Sequence, residues 1–573
     1  MLGAAAALPL LVSPATADTY FLPKLLAARL VVIGLLVMIG VAAFRGRFRL
    51  RSTPLDIPLA IFVASALVST VFAVNRNLSF FGSYGRYDGF LTILLYALLF
   101  WLTARSLDGP KAAVTIPRTM LGAAYVVSLF TILQVALGSL AGTGPAESGF
   151  SFAGVLRGYG TLGSPQALGA FLAMLLPLAV CELIAARSAS GRMLALNVIA
   201  VLALALVVTF SRTAWLGAGI GVLLVLFVAA PRRLRLALVA APAIVFLAVA
   251  GTSRLAAPAS APNIIQAAGG RLHTIAAPMA ESSGQFRLNV WSDTVQLITA
   301  RPIFGWGLDT FGLVYPQFKT GNWAPGAIID RPHNELLGVA ATQGLLGLAA
   351  YGAIALALVR AFWKRRRDLR SVALFGGVLG YAIFLLFNFS YLPAALPFWI
   401  FAAAAVTLWD PREPRDIHVP TRLAARIPIA LATALVALAA IPLIIAPYAA
   451  DSAYRSGLDA IAAGHRQQAR ALVEQARNLA PWQSTYAVAA GSLALDLDGR
   501  GRPGNEADWS AARADYTSAI QLGSESAATY RYLAVADQAL GMHQEAITAA
   551  TTAVSLDRYD PANQAELAML LAR

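Results

Sequence analysis

The chain has 573 residues, of which 58% are hydrophobic and only 13% charged, with a formal net charge of +15. So small a polar fraction cannot cover a water-solvated globule of this size, which excludes the soluble class for most of the chain and leaves a polytopic membrane protein. The Lys and Arg residues fall in short blocks between apolar runs, as topology signals do, so the positive charge does not argue for nucleic acid. The one cysteine, Cys181, lies in an apolar run, and no internal disulfide can form.

Residues 1–12 are apolar but short, and the Ala15-Thr16-Ala17 triplet resembles a signal-peptidase site. Without a basic start the stretch reads as a shortened or re-entrant first helix in preference to a cleaved signal. Crossing a hydrocarbon layer of roughly 30 Å takes about 20 mostly apolar residues, and about 12 runs qualify. They lie near 24–44, 57–74, 89–104, 117–138, 164–186, 193–210, 213–230, 233–251, 335–360, 371–388, 392–409 and 425–447. Each is predicted to be a helix, because lipid offers no partner to an unpaired backbone amide. Basic clusters follow every second run: Arg45 to Arg51, Arg105 and Lys111, Arg187 and Arg192, Arg232 to Arg235, Lys364 to Arg370, and Arg412 to Arg426. The positive-inside rule turns these toward the cytoplasm and the loops 75–88, 139–163, 211–213 and 252–334 outward. The expected architecture is therefore all-α: a membrane domain over 1–447 with a large extracytoplasmic loop at 252–334, and a second domain over 448–573.

The outward loops hold Arg86, Arg157, Arg212, Arg271, Arg287, Arg301 and Arg331, on the side where topology requires no cation. Any one of them can be explained by snorkelling or by capping a helix end. As a set, planar guanidinium forks suit a diphosphate. Arg212 is confined to a hinge of two or three residues between two runs, at the membrane edge. His333, at the mouth of the next run, has the proton affinity of a general base, although a histidine between a proline and an asparagine also serves as a helix cap. His273, His418, His465 and His543 have no such setting. No His, Cys, Asp or Glu spacing resembles a zinc or iron site, and no motif supports magnesium at Asp309 or Asp330, so no metal or cofactor is expected.

Within the large loop, Val290, Val295, Leu297 and Ile298 have helical spacing, predicting an amphipathic helix over the site, broken by Pro302, Gly305 and Gly307. Trp306, Phe311, Tyr315 and Trp323 suit stacking on sugar rings or, for most of them the preferred reading, an interfacial aromatic belt. The cluster at 79–89 offers Arg86 and Tyr87 to a substrate. Beyond 447 the chain becomes Ala-rich and charged: Gly464 to Ala469 is echoed by Gly541 to Ala546, each followed by a second helix and a proline, Pro481 and Pro561. A degenerate unit with Ala512, Tyr516 and Ala519 on one face lies between, and 499–506 reads as an inserted loop. This pattern resembles tetratricopeptide repeats, an α-solenoid whose concave face suits a protein partner. By span parity it lies on the side of His333.

SerArgThrAlaTrp at 211–215, ArgLeuAsnValTrp at 287–291, ArgProIlePheGlyTrpGly at 301–307, HisAsnGluLeuLeu at 333–337 and GlnGlyLeuLeuGly at 343–347 together resemble the O-antigen ligase and polymerase superfamily over roughly residues 20–410. The segment 158–169 resembles that family's Gly-x-Pro-Asn element, with Ser164 and Gln166 where asparagines are commoner. The resemblance implies a metal-independent, inverting membrane glycosyltransferase of GT-C type in the cytoplasmic membrane. Its donor would be an undecaprenyl diphosphate-linked glycan and its acceptor a glycan, lipid or protein hydroxyl. Arg212 and Arg287 would bind the diphosphate and His333 would act on the acceptor. Arg157, Arg301 and Arg331 would complete the anion site or simply hold the loop, and with Asn334 and Arg86 they are the further candidates for substrate binding. Membrane lipids are the surrounding partners. A lipid-linked glycan transporter and a noncatalytic anchor for the repeats are the competing readings.

Overall fold

The structure is a computed structural model; it describes residues 1–107, 109–141, 151–152, 155–235, 282–321, 329–418, 422–495 and 505–572. The described chain is helical apart from two short antiparallel ribbons, Arg47–Leu50 with Arg415–His418 and Ser151–Phe152 with Val155–Leu156. The helical bundle runs α1 (Leu2–Ala7), α2 (Phe21–Phe44), α3 (Asp56–Val71), α4 (Arg76–Phe81), α5 (Phe90–Ser106), α6 (Gly109–Ala141), α7 (Pro165–Ala185), α8 (Ala189–Val208) and α9 (Arg212–Ala229). It continues through α10 (Ser282–Ala300), α11 (Phe311–Phe318), α12 (Glu335–Trp363), α13 (Leu369–Leu385), α14 (Leu392–Trp409) and α15 (Leu423–Leu438).

Among the described residues, eight helices are long and apolar enough to cross a membrane, and α3, α5 and α13 are shorter apolar helices, an arrangement that fits a multi-pass membrane protein. The expected run at 233–251 lies outside the described residues from 236 onward. The first residues form the short helix α1, whose Ala4 and Ala5 are buried, as is Leu8 just after it.

The core centres on α7 and α14, which are hydrophobic on every face and buried on nearly all of them. Beside them α9 and α13 pack at close backbone approach. A Cβ on Gly217 would sit 2.3 Å from the Gly380 carbonyl oxygen, and one on Gly221 would sit 2.5 Å from that of Gly376. Two Gly-xxx-Gly pairs face each other there, and small residues let helices pack where lipid supplies no hydrophobic drive. This contact fixes the hinge carrying Arg212 relative to the turn after α13.

A continuous helix from Arg426 to Ala462, with a π-helical turn at Ile441–Ile445, leads out of the bundle into the C-terminal domain. Its helices are α16 (Ala446–Ala462), α17 (Arg466–Leu479), α18 (Ser484–Leu495), α19 (Glu506–Gln521), α20 (Ala527–Ala539), α21 (His543–Leu556) and α22 (Pro561–Leu571), each packed on the next. Small residues make this stacking close: Ala469, Val473 and Ala476 are fully buried on one face, as are Ala512, Tyr516 and Ala519. The inserted loop expected at 499–506 falls largely outside the described residues.

This helical domain rests on the same loops that flank His333. Asn77 donates its amide to the carbonyls of Trp482 (2.9 Å) and Leu522 (2.8 Å), and Phe81 stacks on Trp482 at 5.3 Å. The fully buried Asp451 accepts from the hydroxyls of Tyr84 (2.6 Å) and Tyr486 (3.1 Å) and from the backbone N–H of Asp18 (2.9 Å).

Candidate functional site

The polar loop folds as a small apolar core of its own, built from Val290, Leu297, Phe311, Val314, Tyr315 and Ile329 and closed on Ala341 of α12. Val290 and Leu297 bury the expected face of α10, whereas Val295 points outward. Phe311 and Tyr315 do not belong to an interfacial belt. They are 1% exposed, and the Tyr315 hydroxyl donates to Asp293 at 2.9 Å. Trp306 is a scaffold residue too, donating its indole N–H to the Leu297 carbonyl. Trp323 and Arg271 lie outside the described residues.

The glycine turn after α10 docks on a kink in α12. Gly305 and Gly307 take positive φ, and the backbone N–H groups of Trp306 and Gly307 donate to the carbonyls of Ala341 and Thr342 at 3.0 Å. Gly344 breaks α12 at that point with φ 68°, which frees those carbonyls from the helix ladder. Thus the Gly-Trp-Gly and Gln-Gly-Leu-Leu-Gly segments are two halves of one joint.

His333 is set at the mouth of α12 by three anchors. Asn334 caps the helix, its side-chain oxygen accepting from the Leu337 N–H at 3.1 Å. The indole N–H of Trp291, one turn beyond Arg287 on α10, donates to the Pro332 carbonyl at 2.8 Å. Arg331 makes ion pairs of 2.7 Å with both Asp88 and Asp309, and Asp309 also accepts from Ser83. His333 itself takes φ 53°, a conformation costing a residue with a Cβ about 1–2 kcal/mol. The imidazole packs between Phe286 (6.0 Å) and Phe389 (5.5 Å).

The turn between α13 and α14 completes the site and was not singled out from the sequence. Phe389 stacks on Tyr391 at 4.4 Å, and the Arg86 guanidinium lies 4.7 Å over the Phe389 ring while pairing with Asp330 at 2.8 Å. Ser390 donates its N–H to Glu335 (3.0 Å), and Asn388 donates its amide to the Thr213 hydroxyl (2.7 Å), joining this turn to the residue after Arg212. The available signal was the alternation of Phe387, Phe389 and Tyr391 in a short loop that span parity places beside His333.

Charge and burial act together on the two titratable rings. Burial lowers His333 to about 4, and Arg287 and Arg86 push the same way against Asp330, so the imidazole is neutral near pH 7. Burial raises the Tyr391 hydroxyl to about 12, and the charged groups acting on it are Arg86, Asp330, Arg157 and Arg287. The charges of Arg86 and Arg287 thus act on both rings, and that of Arg157 on Tyr391. Arg157 is buried and donates from Nε to the Thr209 carbonyl at 3.0 Å, which, with the Gly158 N–H on Val208 (2.8 Å), ties the 157–163 loop to the Arg212 hinge. Ser164, which follows that loop, caps α7.

Two expected clamp residues stand apart. Arg301 follows α10, about 21 Å along the helix axis from Arg287, and is exposed with its guanidinium stacked 4.3 Å from the Trp306 ring. Arg331 is consumed by its ion pairs: burial lowers its proton affinity, but Asp309 and Asp88 outweigh that and raise it. Removing one partner of so buried a pair costs about 3–5 kcal/mol, so Arg331 holds the loop. Tyr87 is likewise buried. Beneath the loop lies a cavity of about 90 Å³ lined by Asp88, Asp309, Arg331, Asn334 and Glu335. Among the described residues no group of His, Cys, Asp and Glu is arranged to hold a metal ion, and Asp309 and Asp330, the carboxylates considered for magnesium, take guanidinium partners.

No curated protein matches the chain. Residues 196–352, the stretch from α8 to α12 that carries Arg212, Arg287 and His333, match the family model described as O-antigen ligase.

Proposed function

We propose that this protein is a membrane glycosyltransferase that moves an oligo- or polysaccharide from undecaprenyl diphosphate to an acceptor hydroxyl at the outer face of the cytoplasmic membrane. The observation that carries the reading is a neutral imidazole seated among arginines at the mouth of a membrane helix, inside the segment that matches the O-antigen ligase family. Arg287 and Arg212 hold the diphosphate and stabilise the charge that grows on it, while Arg157 and Arg86, the latter paired with Asp330, add positive potential around it. The acceptor oxygen attacks the sugar C1 as the C1–oxygen bond to the diphosphate breaks, and the acceptor proton passes to His333. A single displacement inverts the sugar carbon. Because the diphosphate leaves as a stabilised anion, neither a carboxylate nucleophile nor a metal is needed, and the nearby carboxylates Asp88, Asp309 and Asp330 are occupied by Arg331 and Arg86. The C-terminal helices, read as tetratricopeptide-like repeats, present the acceptor or a protein partner.

The test is transfer of labelled glycan from its lipid diphosphate in membranes holding matched amounts of protein. His333→Ala is expected to slow transfer about 10²–10⁴-fold, the usual worth of a general base, and Arg212→Ala comparably. Wild-type rates in both variants would leave the transporter or anchor readings in its place.

A further inference from the structure

A second cavity, of about 220 Å³, lies between the loop domain and the C-terminal helices. One wall comes from α11 and its flanks, with Tyr315, Lys319 and Ile329. The other comes from the first turn of α20 with Arg531, and from Asp557 and Asp560 after α21. The two walls are clamped at the edge: Arg558 donates to the Lys319 carbonyl at 3.0 Å, and the Lys319 ammonium sits 5.5 Å from the Tyr559 ring. Neither domain alone forms this space.

Its chemistry is balanced between donors and acceptors. Lys319 is only 7% exposed and makes no ion pair among the described residues. Arg531 shares its guanidinium with Asp560 and Asn563, and the backbone N–H groups of Ala527 and Ala528 are first-turn amides outside the α20 ladder. Against these donors stand the carboxylates of Asp557, Asp560 and Glu525, which also line the space. Three carboxylates facing two cations disfavour a phosphate, and the buried cations disfavour a metal ion. Hydroxyl groups, which both donate and accept, match such walls.

Position adds the link to chemistry. Ile329 is four residues from His333, so its Cα lies within about 14 Å of that of the histidine however the chain is drawn out. We propose that this cleft is a subsite for an uncharged sugar unit of the acceptor, held between the catalytic loop and the helical domain. This rests on the glycosyltransferase reading above, and it gives the C-terminal helices a direct part in acceptor recognition.

The experiment uses the full chain in lipid nanodiscs, with a fluorescently labelled neutral oligosaccharide released by mild acid from the envelope of the source cells as the binding probe. Ala528→Trp, at a half-buried position on the wall, fills the cavity, and Lys319→Ala removes a donor without adding bulk. Both are expected to weaken binding at least 10-fold with an unchanged thermal unfolding midpoint, while His333→Ala binds like wild type and transfers about 10²–10⁴-fold more slowly. Unaltered binding in both cavity variants, or no binding to the wild type, overturns the proposal. Binding lost in the cavity variants of a protein whose wild type transfers no glycan keeps the sugar site and sinks the transferase reading instead.

Discussion

His333 shows how one side chain acquires its chemistry from its surroundings. An imidazole in water is half protonated near pH 6.5, whereas here burial and the charges of Arg287 and Arg86 lower it to about 4. The unfolded chain takes up this proton as pH falls below about 6.5 and the folded chain does not until about 4, so this group's contribution to stability is present above that window and lost as acid is added through it. Transfer is accordingly expected to hold steady from about pH 8 to about pH 6, with its acid limb well below the ordinary histidine value. Arg287→Ala removes one of the lowering charges, so the limb of its residual activity should move upward. A merely structural arginine would reduce the rate and leave the limb in place, and pH-rate profiles of the two proteins decide between them.

At the scale of elements, the joint between the glycine turn and the kinked α12 decides where His333 stands. Gly344 is required there twice over: its φ of 68° is unfavourable with a side chain, and a Cβ would come 2.1 Å from the Ile303 carbonyl oxygen. Gly344→Ala is therefore expected to cost more than the roughly 1–2 kcal/mol of left-handed strain alone. It should lower the thermal midpoint in detergent and reduce transfer, because Ala341 and Thr342 hold the turn that leads from α10 toward His333. Gly352→Ala, in the same helix with open space at its Cβ, is the control expected to do neither. The α9–α13 contact belongs to the same scale: facing glycine pairs bring the Arg212 hinge and the Phe389 turn together without any residue of the site touching the contact.

For the whole molecule, sidedness is the property on which the proposed chemistry depends. The basic loops and the face bearing His333 alternate along the chain, and the C-terminal helices rest on that face through Asn77, Phe81 and the Tyr84 hydroxyl bound to Asp451. A membrane-impermeant maleimide added to intact cells is expected to label Ser456→Cys and to spare Arg366→Cys until the membrane is opened. Native Cys181 is fully buried and should stay silent. Labelling of Arg366→Cys in intact cells would invert the arrangement.

The sequence by itself determined the membrane class, the apolar runs and the chain of motifs from Arg212 to His333, because hydropathy, helix periodicity and backbone hydrogen bonding in lipid are local demands that each segment must meet alone. Only the tertiary structure decided how the arginines are engaged. The charges of Arg86, Arg157 and Arg287 act on Tyr391, Arg331 is spent on Asp88 and Asp309, and Arg301 lies at the far end of its helix. Those assignments, like the burial of Phe311 and Tyr315 and the part played by Phe389, depend on contacts between segments far apart in the chain. A guanidinium reads the same in sequence whether a carboxylate awaits it or not, and packing alone settles that.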